Sequence, residues 1–215
     1  MAKATPGYAC TECGWTTVKW VGRCGECQEW GTVVEAGTQT GIQQRMAPVA
    51  VTGDRIARPI TEVPESGELQ HWASGIGEFD RVLGGGIVPG AAILFSGEPG
   101  VGKSTLLLEV ASRAAKGGAR VLYVSAEESV SQVRLRASRT GALSDNLFLA
   151  AETDLATIIG QVDAVKPALL VVDSVQTVAS SAVEGLAGGP SQVREVASVL
   201  IRVAKERALP ILLVG

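Results

Sequence analysis

From Trp72 onward, short apolar runs alternate with longer stretches in which apolar side chains recur every three or four positions. The runs Ala91–Phe95, Val121–Val124, Leu147–Ala150, Leu169–Val172 and Ile211–Val214 are almost free of polar residues, which predicts strands buried on both faces. The amphipathic stretches 103–116, 129–140, 154–165 and 191–207 predict helices. Strand and helix in strict alternation imply an α/β fold, a parallel sheet with helices on both faces. The pattern stops upstream of Trp72. Residues 35–71 carry Pro48, Pro59, Pro64, Gly37 and Gly41 with no sustained period, and are expected to form a linker with a short extended segment near Arg58–Val63. Residues 1–34 hold all four cysteines and Trp15, Trp20 and Trp30, which marks a separate small module before the domain at 72–215.

In that module, Cys10-x2-Cys13 and Cys24-x2-Cys27 form two knuckles, each able to present two thiolates to one ion. Four thiolates suit tetrahedral, structural zinc and leave no position for a catalytic water. A module of this size has too small a core to fold without such a staple. Disulfides or buried free thiols are the competing readings; a reducing compartment argues against the first and the spacing against the second. The tryptophans are expected to shield the metal. His71, the only histidine, reads as a surface residue.

The segment Gly97, Glu98, Pro99, Gly100, Val101, Gly102, Lys103, Ser104, Thr105 fits G-x-x-x-x-G-K-[ST] and lies between an expected strand and an expected helix, the context a phosphate-binding loop requires. The glycines let successive amides turn toward a phosphate, and the helix dipole adds to the attraction. Lys103 is expected to bridge the β and γ phosphates of ATP, Ser104 to ligate Mg2+, and Thr105 to lie near the α phosphate. A second magnesium-holding group is expected in Asp173, at the carboxyl end of an apolar strand where ligands of parallel sheets bind. Glu127, just past another strand, is expected to polarise an attacking water, with a helix N-terminal charge as the competing reading; Glu128 reads as such a helix charge.

Composition sharpens the picture by exclusion. Net charge is −3, with six basic and five acidic residues in 1–60 against thirteen and seventeen in 61–215, so neither part attracts nucleic acid by bulk charge. Arg134, Arg136 and Arg139 read as a solvated helix face. No run approaches the roughly 18 apolar residues of a membrane span and no secretory signal opens the chain, so a cytoplasmic protein without membrane partners is expected.

The run Trp72–Gly90, which includes Gly75, Gly77, Asp80 and Gly84–Gly86, followed by the phosphate loop, resembles the start of a RecA-type ATPase. Together with the four-cysteine module and Val172-Asp-Ser-Val-Gln-Thr177, it resembles the RadA (Sms) family of bacterial DNA repair ATPases. The resemblance implies a RecA-like P-loop NTPase core working as a hexameric ring on single-stranded or branched DNA in homologous recombination, with a recombinase of RecA type as partner. It also implies that Glu127 is the catalytic glutamate and that residues 174–192 form the channel loop. That loop contains no lysine or arginine, so contacts to DNA would rest on backbone amides with Arg194 at the margin. A non-motor switch or scaffold that binds ATP and presents its zinc module is the alternative.

RadA proteins continue beyond the strand at Pro210–Val214 with further core strands and another domain. By the same resemblance the last strand lies between the phosphate-loop strand and the Asp173 strand, so the expectation is an incomplete core with the Ala91–Phe95 strand left as an uncovered edge, apolar surface open at Pro210–Val214 and slow hydrolysis by this chain alone.

Overall fold

A computed structural model describes residues 7–35, 50–53, 56–62 and 71–215, in two compact units, Met1–Val63 and Pro64–Gly215. In the first, strands β1 (Tyr8–Cys10), β2 (Thr16–Thr17) and β3 (Val33–Glu35) pair antiparallel in the order β2-β1-β3. Its core is small: Cys10, Cys24 and Val33 are buried, with Tyr8, Trp15 and Val21 packed around them. Only Trp15 of the three tryptophans covers the cysteines. Trp20 and Trp30 are 64% and 72% exposed, because their rings flank Gly22 on the outer surface and Arg23 lies over Trp30. The segment expected to be extended near Arg58–Val63 instead forms a 3-10 turn at Ile60–Glu62, closed by the Glu62 N–H donating to Pro59 O; Val63 itself lies outside the described residues. The fixed φ of Pro59 suits the start of a helical turn.

The second unit opens with a short helix α1 (Gly77–Val82), then alternates β4 (Ala92–Phe95), α2 (Lys103–Lys116), β5 (Val121–Ser125), α3 (Val130–Thr140), β6 (Leu147–Ala151), α4 (Leu155–Val165), β7 (Leu169–Asp173), α5 (Pro190–Arg207) and β8 (Ile211–Val214). The five strands form one parallel sheet in the order β4-β8-β7-β5-β6. Alternate residues of each central strand point to opposite faces. Val121, Tyr123, Leu169, Val171, Leu212 and Val214 join the core under α1, α2 and α3, whereas Leu122, Val124, Leu170, Val172, Ile211 and Leu213 join the core under α4 and α5. Two-sided burial explains why these runs have no polar alternation.

Helix ends follow from capping. Ser129 accepts from Gln132 N while the Gln132 side chain accepts from Ser129 N, a reciprocal box that starts α3 one residue after the expected boundary. Asp154 caps α4 through Thr157 N at 2.8 Å, and Pro190 sits in the first turn of α5. The caps contribute about 1 kcal/mol each.

The expectation of exposed apolar surface at Pro210–Val214 is not met. β8 is buried throughout, although it lies between β4 and β7 as expected, and the expected open edge is found at β4, where Leu94 is 58% exposed.

The run Trp72–Gly90 packs against the start of the sheet. Trp72 and Ile87 exchange two backbone hydrogen bonds of 2.8 Å, Asp80 accepts from the amides of Ser74 and Gly75, and Phe79 stacks on Phe95 at 5.5 Å. Gly86 adopts φ +136°, and a Cβ there would lie 2.5 Å from Trp72 O. Gly84 also has positive φ, but open space around it. Gly86→Ala is therefore expected to destabilise the unit by about 2 kcal/mol or more, through clash and dihedral strain together, and Gly84→Ala by about 1 kcal/mol through strain alone. Urea midpoints of the two variants measured at equal slope check this order, and equal midpoints contradict it.

Candidate functional site

The cysteines come together because each knuckle is pinned by backbone hydrogen bonds. Cys10 N donates to Trp15 O and Gly14 N to Cys10 O in the first; Cys24 N donates to Glu29 O and Glu26 N to Cys24 Sγ in the second. All four Sγ atoms lie within 4.8 Å of one another, with Cys10 to Cys27 at 3.7 Å and Cys13 to Cys24 at 3.5 Å. A tetrahedron with Zn–S bonds of about 2.3 Å has S···S edges of about 3.8 Å, whereas a disulfide needs about 2.0 Å. The geometry fits a tetrathiolate metal centre and excludes disulfide pairing. The Trp15 ring lies so close over the second knuckle that a Cβ on Gly25 would be 2.7 Å from it.

Electrostatics points the same way. The Thr32 hydroxyl, 3.3 Å from Cys10 Sγ, together with the amide of Cys13 lowers the Cys10 thiol to about 6. Against a backbone hydrogen bond at Glu29, burial and the neighbouring Cys24, Cys13 and Cys10 push the Cys27 thiol up to about 12. Against burial, the amides of Glu26 and Cys27 lower the Cys24 thiol as well, so two thiolates form readily and resist a further one beside them, a conflict that a dication resolves.

At the carboxyl ends of the parallel strands, a cavity of about 630 Å³ gathers most of the second set of expected site residues. Gly97, Pro99, Gly100, Gly102, Lys103, Ser104 and Thr105 line it from the loop between β4 and α2. Glu98 and Val101 do not; Val101 is exposed, and Glu98 contributes a carbonyl that, with Gly97 O, accepts from Lys103 Nζ at 3.0 and 2.6 Å. Gly102, at φ +96°, is the N-cap of α2, and no side chain caps that helix, so its first-turn amides remain for an anion.

Asp173 and Glu127 reach the same cavity from β7 and just after β5. Asp173 is 4% exposed, and its Oδ2 accepts from the Tyr123 hydroxyl at 2.6 Å. Burial, and next the Asp173 carboxylate, push the Tyr123 phenol far above its ordinary range, so it stays a donor. Glu127 Oε1 accepts from Ser174 Oγ at 2.5 Å. Ser104 and Asp173 both line the cavity and offer it a hydroxyl and a buried carboxylate, a donor set that fits Mg2+.

Three residues with a part in this arrangement escaped sequence reasoning. Glu128, expected at most to charge a helix terminus, contacts Arg136 at 2.8 Å. Arg134 and Arg139 are exposed as expected, but Arg136 lines the cavity; its Nη2 lies against Glu128 Oε2, and its buried Nε has no hydrogen-bond partner among the described residues. Its place three residues after buried Val133 and beside buried Ala137 was the available signal. Tyr123, inside an apolar run, read only as a strand former. His71 is exposed, as expected of a surface residue.

In the segment 174–192, Ser174, Val175, Val178 and Gln192 are buried. Gln192, 2% exposed, accepts from Ser180 N and donates to the carbonyls of Ser180, Val183 and Gly185, while Leu186 is 87% exposed at the tip.

Known protein families match a stretch of each unit. The KaiC-type ATPase family matches residues 72–151, and a zinc-ribbon family described as a rubredoxin metal binding domain matches residues 8–35. The DNA repair protein RadA of Mycolicibacterium smegmatis is 47% identical over 220 residues, covering 100% of this chain and 47% of that protein. The RadA proteins of Aquifex aeolicus and Bacillus subtilis are 42% and 40% identical, each again covering 100% of this chain and 47% of the relative. The chain thus spans about half the length of the curated relatives it matches. The fold is a parallel α/β sheet of RecA type with a four-cysteine zinc ribbon before it. Among the described residues no helix is long and apolar enough to cross a membrane.

Protein purified without chelator is expected to carry one zinc per chain by elemental analysis, and Cys13→Ser to lose it. Thr32→Val removes the hydroxyl that favours the Cys10 thiolate, so its thiol pKa rises and protons compete better with the metal. Chelator competition is expected to show weaker zinc binding in this variant at about pH 6 and a vanishing difference at about pH 9. The same deficit at both values points to a packing defect instead.

Proposed function

We propose, on the premise that the chain resembles the RadA DNA repair proteins along its whole length, that it hydrolyses ATP and couples hydrolysis to work on single-stranded or branched DNA during recombinational repair. The observation that carries this reading is the convergence of Lys103, Ser104, Glu127 and Asp173 on one cavity beside the uncapped start of α2. In it, the loop amides and α2 hold the phosphates, and Lys103 exchanges the carbonyls of Gly97 and Glu98 for phosphate oxygens. Ser104 and Asp173 hold Mg2+, which when bound neutralises phosphate charge. Glu127 orients the attacking water and takes its proton; the Ser174 hydroxyl fixes its carboxylate. The zinc ribbon engages DNA or a recombinase of RecA type, and the ATPase core assembles as a homo-oligomeric ring in the cytoplasm.

A second reading has its own support. Residues 174–192 contain no lysine or arginine, and their most exposed large apolar side chain is Leu186, a surface suited to protein as well as to DNA. In that case the protein binds ATP as a switch and presents its zinc ribbon to a partner.

ATP turnover with and without single-stranded DNA separates the two, measured on this chain and on a full-length protein containing it. The motor reading expects stimulation by DNA in the full-length protein; a rate that does not rise with DNA overturns it. Lys103→Ala is expected to weaken ATP binding at least about tenfold and abolish hydrolysis, whereas Glu127→Gln retains binding and loses about 10²–10⁴ in turnover. Equal loss of binding in both variants removes Glu127 from the water-activating role.

A further inference from the structure

Tyr123 occupies a place where packing asks only for a ring. It is fully buried in the middle of β5, in the apolar core under α2 and α3. Phenylalanine would fill that space, and a buried hydroxyl costs about 1–3 kcal/mol unless it is hydrogen-bonded. Its acceptor is Asp173 Oδ2 at 2.6 Å. The pairing register explains the reach. Tyr123 lies opposite Val171 and Ser125 opposite Asp173, so the phenol extends diagonally along its own face by two residues, about 6.6 Å of strand. A serine or threonine at this position is too short to span that distance.

The bond occupies one carboxylate oxygen from below, and Oδ1 is the oxygen left for a cation in the cavity that Asp173 shares with Ser104. Arg136, whose charge acts on Tyr123 in the sense opposite to Asp173 and Glu128, lines the same cavity and pairs with Glu128.

We infer that Tyr123 is a positioning residue for divalent-cation binding: its hydroxyl fixes the rotamer of Asp173 so that Oδ1 faces the metal position next to Ser104. This rests on the nucleotide-site reading above and deepens it. Groups that orient metal ligands in this way change metal affinity by about 10- to 100-fold.

The test is Mn2+ binding to the ADP-bound chain, followed by the paramagnetic resonance signal of free Mn2+. Tyr123→Phe is expected to raise the Mn2+ dissociation constant about tenfold and to leave ADP affinity in chelator unchanged. The double variant Tyr123→Phe/Asp173→Asn is expected to bind Mn2+ no more weakly than Asp173→Asn alone, because the phenol acts through that carboxylate. A Tyr123→Phe protein with a lowered unfolding midpoint but wild-type Mn2+ affinity overturns the inference, as does an additive double variant, while wild-type binding of Mn2+ and ADP leaves the nucleotide site standing. A wild-type chain that binds no ADP, or an Asp173→Asn chain that binds Mn2+ as the wild type does, overturns both.

Discussion

The in-register parallel pairing of β5 with β7 is the constraint on which the site depends. It sets Ser125 opposite Asp173, so the chain leaves both strands at one level and Glu127 meets Ser174 immediately beyond them. The same register puts Tyr123 and Asp173 on one face of the sheet. A slip of a single residue would send them to opposite faces and separate the acid from the loop that precedes α2. Burial on both sides enforces the register, because every residue of the two strands is buried and any slip would expose apolar surface to helix backbones cut for other side chains.

The glycine-rich run before β4 invites reading as a binding motif, yet its contacts are structural. Asp80 satisfies the amides of Ser74 and Gly75, Gly75 O accepts from Arg113 on α2 at 2.7 Å, and the Trp72–Ile87 bridge closes the segment over Gly86. By tying itself to α2 and to Phe95 at the end of β4, the run fixes the two elements between which the phosphate loop is strung. A segment distant from the chemistry thereby sets the loop's span.

Much of this was legible in the sequence, and the reasons are specific. The strands declared themselves because two-sided burial requires uninterrupted apolar runs, and the four cysteines because metal ligation fixes their spacing. Short α1 did not, since six residues amid glycines show less than two turns of period. Trp20 and Trp30 misled: hydrophobicity predicts burial only on average, and a core of three buried residues has no room for more rings. Arg136 was hidden by its exposed neighbours Arg134 and Arg139, and Tyr123 by its company, because a hydroxyl that reaches along a neighbouring strand leaves no mark in periodicity. Tertiary partners of this kind become visible only when register is known.

The loop 174–192 is fastened at both ends, by Ser174 to Glu127 and by Gln192 to the carbonyls of Ser180, Val183 and Gly185. An open loop of this length would surrender about 1–2 kcal/mol of conformational freedom per residue when a ligand immobilised it. Here much of that ordering has already happened in folding, so whatever docks on the loop meets a preformed mould instead of a chain that must still be cast.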